Sequence, residues 1–394
     1  MSRIRRPRSD RFLRSHRFFR RFRRNTEALF SPGNLVSLIP HGGEFFPALF
    51  ASLDEAKESI CLEFYLIRDD STGRRLAEHL LAAAARGVQV LLLYDYIGSF
   101  ETPNAFFKRL DNGGVRCVPF NPPPFRRGIA WFDKRDHRKM AIIDGRRAFV
   151  GGINIADEYD AFGEDHRRWR DVALSLDGPA ARQLQRLFLE SWNGETGDNR
   201  LVTPDTAQAW AGRDQVLIVS GGPHHIRSYI RSAFRMAMAG ATSIIRIANP
   251  YFIPGPRVLR SLLRAARRGI RIQLMLPAHS DVPLVRLVSR STYAPLLKAG
   301  IEIYEREKTM LHAKVMLIDD YWSVVGSANL DQRSFHRNYE VNVIVDSHEF
   351  GRQVAAMFAT DLALSRRILL DEHERRGWCI RLLERLCSTI SWFL

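Results

Sequence analysis

Two stretches of this chain share one pattern. Residues 137–154 read HRKMAIIDGRRAFVGGIN, and residues 312–329 read HAKVMLIDDYWSVVGSAN. In each stretch a lysine lies two residues after a histidine, and four residues separate this lysine from an aspartate. Six residues then separate the aspartate from Gly-Gly or Gly-Ser, and an asparagine lies two residues after that pair. A single His-x-Lys is common by chance, but two long frames with the same spacing are not. The chain therefore contains an internal repeat.

The repeat extends to the segments that precede each frame. Hydrophobic periodicity predicts the order helix, strand, helix, strand in both copies. The predicted segments are 45–57, 60–67, 73–86 and 88–94 in the first copy, and 226–239, 244–248, 256–268 and 270–276 in the second. This alternation favours an α/β fold with two pseudo-symmetric lobes. We expect each lobe to be a mixed sheet flanked by helices, with the active site between the lobes.

The length of the chain, 394 residues, is sufficient for two such lobes and their cores. We predict five consecutive segments. They are a basic amphipathic segment (1–30), an N-terminal lobe (31–195), a linker (196–214), a C-terminal lobe (215–362) and an amphipathic C-terminal helix (363–394).

The histidine and lysine of each frame are expected to face one ligand. The second frame begins on a predicted strand, 310–318, in which alternate side chains share a face. His312 and Lys314 are therefore predicted to point the same way, as are His137 and Lys139. Two imidazoles and two ammonium groups around one point would form a phosphate site with a built-in nucleophile and acid. The lysines would supply the charge that a metal supplies elsewhere, so we expect neither a metal nor a cofactor.

The aspartate and asparagine of each frame have other predicted roles. Asp144 and Asp319 lie seven residues after their histidines, an odd offset that turns a side chain away from the shared face. From the residues alone, we interpret them as turn-forming more than catalytic. Asn154 and Asn329 follow a glycine-containing step and offer amide donors, so they are predicted to bind phosphate.

Composition and charge limit the classes of function. A hydrophobic fraction of 45% and a charged fraction of 26% exclude a mostly disordered, fibrous or polytopic membrane chain. The formal net charge of +16 favours anionic partners, which are phospholipid surfaces, nucleic acid or phosphorylated substrates. The four cysteines form no CxxC pair, so neither a zinc site nor a disulfide framework is indicated and a reducing compartment is expected.

The two ends of the chain are predicted to contact a membrane surface. Residues 1–24 contain eleven arginines interleaved with phenylalanines, which is typical of a segment on an anionic bilayer. A disordered basic tail, a nucleic-acid arm and a transit peptide have similar compositions. Near the C-terminus an apolar stripe predicts a helix that lies on a bilayer or docks on the protein's own core. The stripe consists of Cys379, Leu382, Leu383, Leu386, Ile390 and Phe393. No apolar run approaches the length of a spanning helix.

The repeated frame, HxKx4Dx6G(G/S)xN, resembles that of the phospholipase D superfamily, and this chain matches it twice without departure. Further stretches are similar to bacterial cardiolipin synthases. These stretches are GGINIADEY at 151–159, WRD at 169–171, NPYFIP at 249–254 and GSANLDQRSFHRNYE at 326–340. The similarity spans residues 35–360. Many members begin with two transmembrane helices, and this chain resembles the shorter branch without them.

The resemblance implies phosphatidyl transfer from one phosphatidylglycerol to another, with release of glycerol and a phosphatidyl-histidine intermediate. It implies His137 as the nucleophile and His312 as the acid and base, and it includes all six His, Lys and Asp positions of the two frames among the catalytic residues. Those positions are His137, Lys139, Asp144, His312, Lys314 and Asp319. It also implies that Asp171 and Glu340, downstream of the motifs, orient the histidines. Tyr65 and Tyr251 either line the pocket or serve packing.

The resemblance further implies a peripheral enzyme on the cytoplasmic face of the inner membrane, bound to anionic phospholipid. Two motifs in one chain suffice for one site, and the oligomeric state stays open. Three alternatives remain beside the synthase. They are a phospholipase D hydrolase or a phosphatidyltransferase for another lipid or alcohol, a nuclease, and a non-catalytic membrane module. Nucleic acid is not expected as a partner, because the positive charge is concentrated in a phenylalanine-rich terminus.

Overall fold

The computed structural model describes residues 30–123, 132–160, 168–198, 209–223 and 228–389. Apart from Phe30, the predicted basic segment 1–30 lies outside these residues, and so do Ile390 and Phe393 of the C-terminal stripe. No helix in these described ranges has the length and apolar character that crossing a bilayer requires.

Strands and helices alternate along both halves of the chain. The strands are β1 (Ser31–Ile39), β2 (Ser59–Phe64), β3 (Gln89–Asp95), β4 (Arg116–Phe120), β5 (Lys139–Ile143), β6 (Arg147–Gly151), β7 (Trp169–Arg170), β8 (Ala173–Asp177), β9 (Asp214–Gly221), β10 (Ile244–Ala248), β11 (Arg271–Pro277), β12 (Glu302–Arg306), β13 (Met310–Leu311), β14 (Val315–Ile318), β15 (Trp322–Gly326), β16 (Glu340–Asp346) and β17 (Ser365–Ile368). The helices are α1 (Gly42–Glu55), α2 (Ser71–Ala85), α3 (Asn104–Asn112), α4 (Pro179–Thr196), α5 (Tyr229–Gly240), α6 (Pro256–Arg267), α7 (Pro283–Ser291), α8 (Tyr293–Lys298), α9 (Gln332–His336), α10 (His348–Ala363), α11 (Leu370–Arg375) and α12 (Trp378–Ser388). A 3-10 turn covers Asp157–Tyr159.

The strands of the two halves occur in the same order. Within the described residues, the large sheet runs β17-β12-β11-β10-β14-β15-β16-β9-β1-β8-β6-β5-β2-β3-β4. Outward from the antiparallel β1–β9 contact, β8-β6-β5-β2-β3-β4 corresponds strand by strand to β16-β15-β14-β10-β11-β12. The last three strands of each series, β2-β3-β4 and β10-β11-β12, are parallel to one another. The other neighbours in each series pair antiparallel. The predicted α/β class with mixed sheets is confirmed. The lobe and linker boundaries stay a prediction.

The helices cover the sheet in three apolar clusters. One cluster packs α1, α2 and α3 against the first half, and a second packs α5, α6 and α8 against the second half. The third cluster contains residues of both halves together with α4 and α10, represented by Phe188 and Phe350. Because this cluster is shared, burial of apolar surface fixes one half against the other.

The strand predicted over 310–318 is interrupted. Its first two residues form β13, which pairs in parallel with β7 of the first half, and its last residues form β14 of the main sheet. The residues between them, 312–314, belong to neither strand. His312 and Lys314 therefore lie where the chain passes from a contact with the other half into its own sheet.

The C-terminal region predicted as one amphipathic helix over 363–394 is divided. Residues Ser365–Ile368 form β17, which adds an antiparallel edge strand to β12, and the chain then forms α11 and α12. Ile368 is buried opposite Ile303, and this pairing of apolar side chains explains why a strand replaces the start of the helix.

Candidate active site

Each histidine is anchored by its backbone to the other half of the chain. The amide nitrogen of His137 donates to the carbonyl of Tyr339 at 2.9 Å, and that of His312 donates to the carbonyl of Arg170 at 2.8 Å. Short parallel contacts flank both bonds, between β7 and β13 and between Asp136 and Tyr339. The two motifs therefore meet at the boundary between the halves.

The side chains cross between the halves in the same way. Nδ1 of His137 lies 3.0 and 3.1 Å from the carboxylate oxygens of Glu340, and Nδ1 of His312 lies 2.5 Å from Oδ2 of Asp171. A carboxylate that accepts from Nδ1–H fixes the tautomer and leaves Nε2 free to act as base or nucleophile. The structure thus places all four predicted residues together, and each carboxylate holds the histidine of the opposite half.

The two carboxylates are supported differently. Glu340 accepts hydrogen bonds from the hydroxyls of Ser327 at 2.5 Å and Ser334 at 2.8 Å. Asp171 accepts from the amide of Val172 at 2.8 Å, and Gly152 leaves room for it, because a Cβ there would lie 2.3 Å from Oδ1. Sequence reasoning missed these roles. The available signal was the Gly-Gly to Gly-Ser difference between the frames.

The two lysines lie beside the histidines and are buried. Nζ of Lys139 donates to the carbonyl of His137 at 2.6 Å, and Nζ of Lys314 donates to the carbonyl of His312. Lys314 Nζ also lies 3.7 Å from Asp171 Oδ2. Each lysine therefore folds back onto the backbone carbonyl of the histidine of its own frame.

The two asparagines have unequal contacts. Asn154 donates to the hydroxyl of Tyr159 at 2.9 Å and accepts from the amide of Leu66 at 3.3 Å. Asn329 is also buried, and its Oδ1 has no hydrogen-bond partner among the described residues. Their phosphate-binding role stays a prediction.

The carboxylates of the two frame aspartates lie outside this cluster. Asp144 follows the end of β5 and accepts from the amides of Glu58 and Ser59, both at 2.8 Å. Asp319 follows the end of β14 and accepts from the amides of Thr242 and Ser243, both at 2.8 Å. Both residues have φ of 51°, a left-handed conformation that Asp tolerates in turns. Asp144 and Asp319 therefore bind the chain at the starts of β2 and β10, away from the histidines. This position favours the turn-forming interpretation over a catalytic role.

Comparison with known proteins identifies the family. A family model described as "Cardiolipin synthase, PLD-like domain" matches residues 49–192 and 234–362. The chain belongs to this family. It is 36% identical over 362 residues to the cardiolipin synthase of Geobacillus kaustophilus, which covers 90% of this chain and 72% of that protein. It is 37% identical over 360 residues to "Cardiolipin synthase 2" of Bacillus anthracis, which covers 90% of this chain and 69% of that protein. The predicted superfamily and the enzyme class, a phosphatidyltransferase, are confirmed.

Solved structures share the fold of this cardiolipin synthase family member at low identity. A phosphatidylserine synthase from Haemophilus influenzae aligns with a TM-score of 0.70 and 12% identity, over 96% of this chain and 100% of that one. A polyphosphate kinase from Porphyromonas gingivalis aligns with a TM-score of 0.55 and 14% identity, over 84% of this chain and 50% of that one.

Burial and neighbouring charges lower the pKa values of the histidines and lysines in the phospholipase D-like site. Burial, then the charges of Lys139 and Lys314, lower the pKa of His137 well below 6.5. Burial, followed by Lys314, lowers the pKa of His312 to about 4. Burial also lowers the pKa of Lys139 to about 7 and of Lys314 to about 8. Both histidines are therefore neutral near pH 7, and their contacts with the carboxylates are hydrogen bonds and not ion pairs.

The lowered pKa values of these histidines and lysines favour an anionic substrate. A phosphodiester bound between the lysines would bring a negative charge close to four groups that resist protonation while the site is dry. Its charge would raise the proton affinity of the imidazoles and lysines together. The arrangement can therefore bind a phosphodiester, attack its phosphorus with a neutral imidazole, and protonate a leaving oxygen.

Aromatic rings surround the histidines. The ring of Tyr65 lies edge-on to His137 at 5.1 Å between centroids, and that of Tyr251 lies 6.1 Å from His312. Trp169 and Tyr159 also lie within 4.8 and 5.8 Å of the His312 ring. Of the two readings for Tyr65 and Tyr251, contact with the catalytic histidines favours the pocket lining. In the described part of the chain, no group of His, Cys, Asp and Glu side chains is arranged to hold a metal.

Proposed function

We propose that this chain synthesises cardiolipin by transferring a phosphatidyl group from one phosphatidylglycerol to another. The observation that supports this most directly is the pair of Nδ1-held, neutral histidines facing two buried lysines at the boundary between the halves. The family comparison supports the lipid substrates. Phospholipid is therefore the substrate class, and phosphatidylglycerol is the proposed donor and acceptor.

In the first step, Nε2 of His137 attacks the phosphorus of phosphatidylglycerol. The new P–N bond forms as the P–O bond to the glycerol headgroup breaks. His312 takes up a proton at Nε2 when the anionic substrate binds, and it donates this proton to the departing glycerol oxygen. His312 suits the role of acid and base because Asp171, at 2.5 Å, stabilises the imidazolium that it must form.

In the second step, a primary hydroxyl of another phosphatidylglycerol gives its proton to His312 and attacks the same phosphorus. The P–N bond breaks, His137 is restored, and the product is cardiolipin. One phosphodiester replaces another, so the overall reaction requires no nucleotide.

The orientation of α12 supports membrane attachment. Its buried side chain is Glu384, at 3% exposure, which accepts two hydrogen bonds from Arg376. Its apolar side chains face outward, among them Trp378 at 69% and Leu386 at 59% exposure. Of the two alternatives that the stripe left open, a helix docked on the protein's own core would bury these apolar side chains. An exposed apolar face with arginines beside it is suited to an anionic bilayer interface.

The position of α12 also favours lipid access. Cys387 of α12 packs in a small apolar cluster with Ile253 and Tyr251, and the ring of Tyr251 lies 6.1 Å from that of His312. A membrane contacting α12 would therefore lie beside the site. We accordingly place the enzyme at the membrane surface as a peripheral protein, on the cytoplasmic face of the inner membrane.

The test of the reaction uses phosphatidylglycerol vesicles without added metal or nucleotide. We expect cardiolipin and glycerol in equal amounts, with both products lost in His137→Ala and His312→Ala and retained in the exposed control His348→Ala. Phosphatidic acid as the main product would replace the synthase by a hydrolase. No lipid turnover by the folded protein would contradict the proposal.

The test of membrane attachment is vesicle co-sedimentation. The double variant Leu383→Glu and Leu386→Glu should bind phosphatidylglycerol vesicles about tenfold or more weakly, because it places charges on the apolar face. Leu35→Glu is a matched control, since Leu35 has a similar exposure of 49% on β1. Equal binding by both would exclude α12 as the attachment site.

A further inference from the structure

A cationic cavity lies apart from the histidines, where α5, α6 and α9 meet. Its volume is about 520 Å³, and its lining contains Arg231 of α5, Arg257 and Arg260 of α6, and Gln332 and His336 of α9. It shares no lining residue with the cluster of histidines, lysines and carboxylates described above. The proposed chemistry of phosphatidyl transfer assigns these side chains no role.

The positive charges in this cavity have no carboxylate partner in the part of the chain that the structure describes. Within the described ranges, none of Arg231, Arg257 and Arg260 forms an ion pair with a carboxylate, and no acidic residue lines the cavity. Arg257 and Arg260 are exposed and Arg231 is half-buried. A cluster of like charges that is left unpaired in a concave site costs free energy, and a bound anion offsets that cost.

The polar side chains of the cavity also contact one another. Nη1 of Arg231 lies 2.5 Å from Nε2 of His336. Burial, then Arg257, lowers the pKa of Arg231, and burial, then Arg231, lowers the pKa of His336. Among the described residues of α5, α6 and α9, no carboxylate contacts either group, and the other neighbouring charges are those of Arg235 and Arg337. The cavity therefore favours a ligand that brings negative charge.

The backbone and a side-chain amide add donors to the same cavity. The N-terminus of α6 opens into it with Pro256 at the first turn, no side-chain cap and no acidic residue. Gln332 packs against the preceding Gly255 so closely that a Cβ there would lie 2.0 Å from Nε2. Pro256 has no N–H, and the amides of Val258 and Leu259 donate to the carbonyl of Gly255, so the amide of Arg257 is the backbone donor that this turn offers. Together with three guanidiniums, it matches the oxygens of a phosphate group.

We propose that this cavity is a second phosphate-binding site, which takes a phosphate-bearing anion at a place separate from the catalytic histidines. The helix α9 connects the two places, since Ser334 donates to Glu340 while the next two residues, Phe335 and His336, line the cavity. The ligand chemistry is a phosphate monoester or diester, supplied by a lipid headgroup or by a free anion.

The test is arginine footprinting of the full chain with phenylglyoxal, read by peptide mass spectrometry. At a phosphate concentration ten times the dissociation constant, we expect modification of Arg257 and Arg260 to slow by about tenfold. Arg264 and Arg267 are internal controls, because they are exposed on the same helix but do not line the cavity. Their modification should slow by less than about twofold.

Three probes distinguish the source of the phosphate: inorganic phosphate, phosphatidylglycerol vesicles and phosphatidylcholine vesicles. Selective protection of Arg257 and Arg260 by inorganic phosphate supports a site for the phosphate group itself, and selective protection by phosphatidylglycerol vesicles alone supports a lipid headgroup. Equal protection of all four arginines, or of none, would overturn the proposal. The readout does not require turnover, so it stands even if no cardiolipin is formed.

A charge-matched pair of variants gives an independent measurement. Arg257→Gln with Arg260→Gln should weaken the thermal stabilisation by phosphate, whereas Arg264→Gln with Arg267→Gln should leave it unchanged. Both pairs remove two exposed charges from one helix, so the fold is preserved alike. The same response in both pairs would show only a diffuse charge effect and would contradict the site.

Discussion

The surroundings of His137 and His312 share their backbone contacts but differ in what lies behind each carboxylate. Both histidines donate a backbone amide to the opposite half, and both hold a carboxylate of that half at Nδ1. Behind Glu340 stand two serine hydroxyls, whereas Asp171 is held by a backbone amide and closely approached by a glycine. A repeated backbone can thus place two equivalent imidazoles while the supporting residues give them separate tasks.

The largest expected effect tests the proposed roles of His137 as nucleophile and His312 as acid and base. His137→Ala should lower kcat by about 10⁴-fold or more, because it removes the proposed nucleophile. In wild-type protein quenched during turnover, mass spectrometry should find the phosphatidyl group on His137. An adduct on His312 would reverse the assignment of nucleophile and acid.

The second-largest effect is expected from loss of the carboxylate of Asp171 or Glu340, each of which holds the histidine of the opposite half. Asp171→Asn and Glu340→Gln should each lower kcat by about 10²- to 10⁴-fold, since an amide holds the wrong tautomer and does not stabilise an imidazolium. Asp144→Asn is the control, because its carboxylate binds backbone amides away from the cluster. The kcat of the folded fraction of Asp144→Asn should stay within about threefold of the wild-type value. A loss comparable to that of Asp171→Asn would return Asp144 to the catalytic group.

A reciprocal exchange tests whether the supports are interchangeable. Gly152→Ser should lower kcat by about 10²-fold, because its Cβ would lie 2.3 Å from Asp171 Oδ1 and displace that carboxylate. Ser327→Gly removes one hydrogen bond to Glu340, with Ser334 still in place, so about a tenfold loss is expected. Steady-state kinetics on phosphatidylglycerol vesicles measures both. Equal losses would mean that the two supports are equivalent.

The smallest effect is on stability. His312 has a folded pKa of about 4 against 6.5 in the unfolded chain, so the unfolded chain binds more protons below pH 6.5. This group's contribution is complete above pH 6.5 and is lost as pH falls toward 4, amounting to about 3 kcal/mol at most. In His312→Gln, Tm should therefore fall less steeply between pH 6.5 and 4 than in wild type or His348→Gln. An unchanged slope would show that folding does not lower the pKa of His312.

Local pattern was sufficient for much of the fold. The strand 244–248 was predicted with its observed bounds because an apolar β-branched run between two helices has a strong signal. The predicted ends of the helices 73–86 and 256–268 lie within one residue of the observed ends, and the next residues, Gly87 and Gly269, take left-handed φ of 87° and 81°. The spacing of the second frame also predicted that His312 and Lys314 lie in one site.

Contacts between distant residues were not accessible in this way. Glu340 is 203 residues from His137, and Asp171 is 141 residues from His312, so no local period indicates which carboxylate holds which ring. The same limit applies to α12. Its amphipathic period was visible, but its orientation depends on the ion pair between Glu384 and Arg376, which a helical wheel does not contain.

The crossing of the carboxylates has a consequence for ancestry. Neither half contains both a histidine and the acceptor that orients it, so a half on its own would carry an unoriented imidazole. Two identical copies related by a twofold axis would satisfy both crossed pairs at once, because such an interface is self-complementary. The β1–β9 contact joins corresponding strands of the two halves, as a twofold axis between copies would require. The present chain has the geometry that a homodimer with fused subunits would have, and Gly152 and Ser327 are corresponding positions at which its two halves differ.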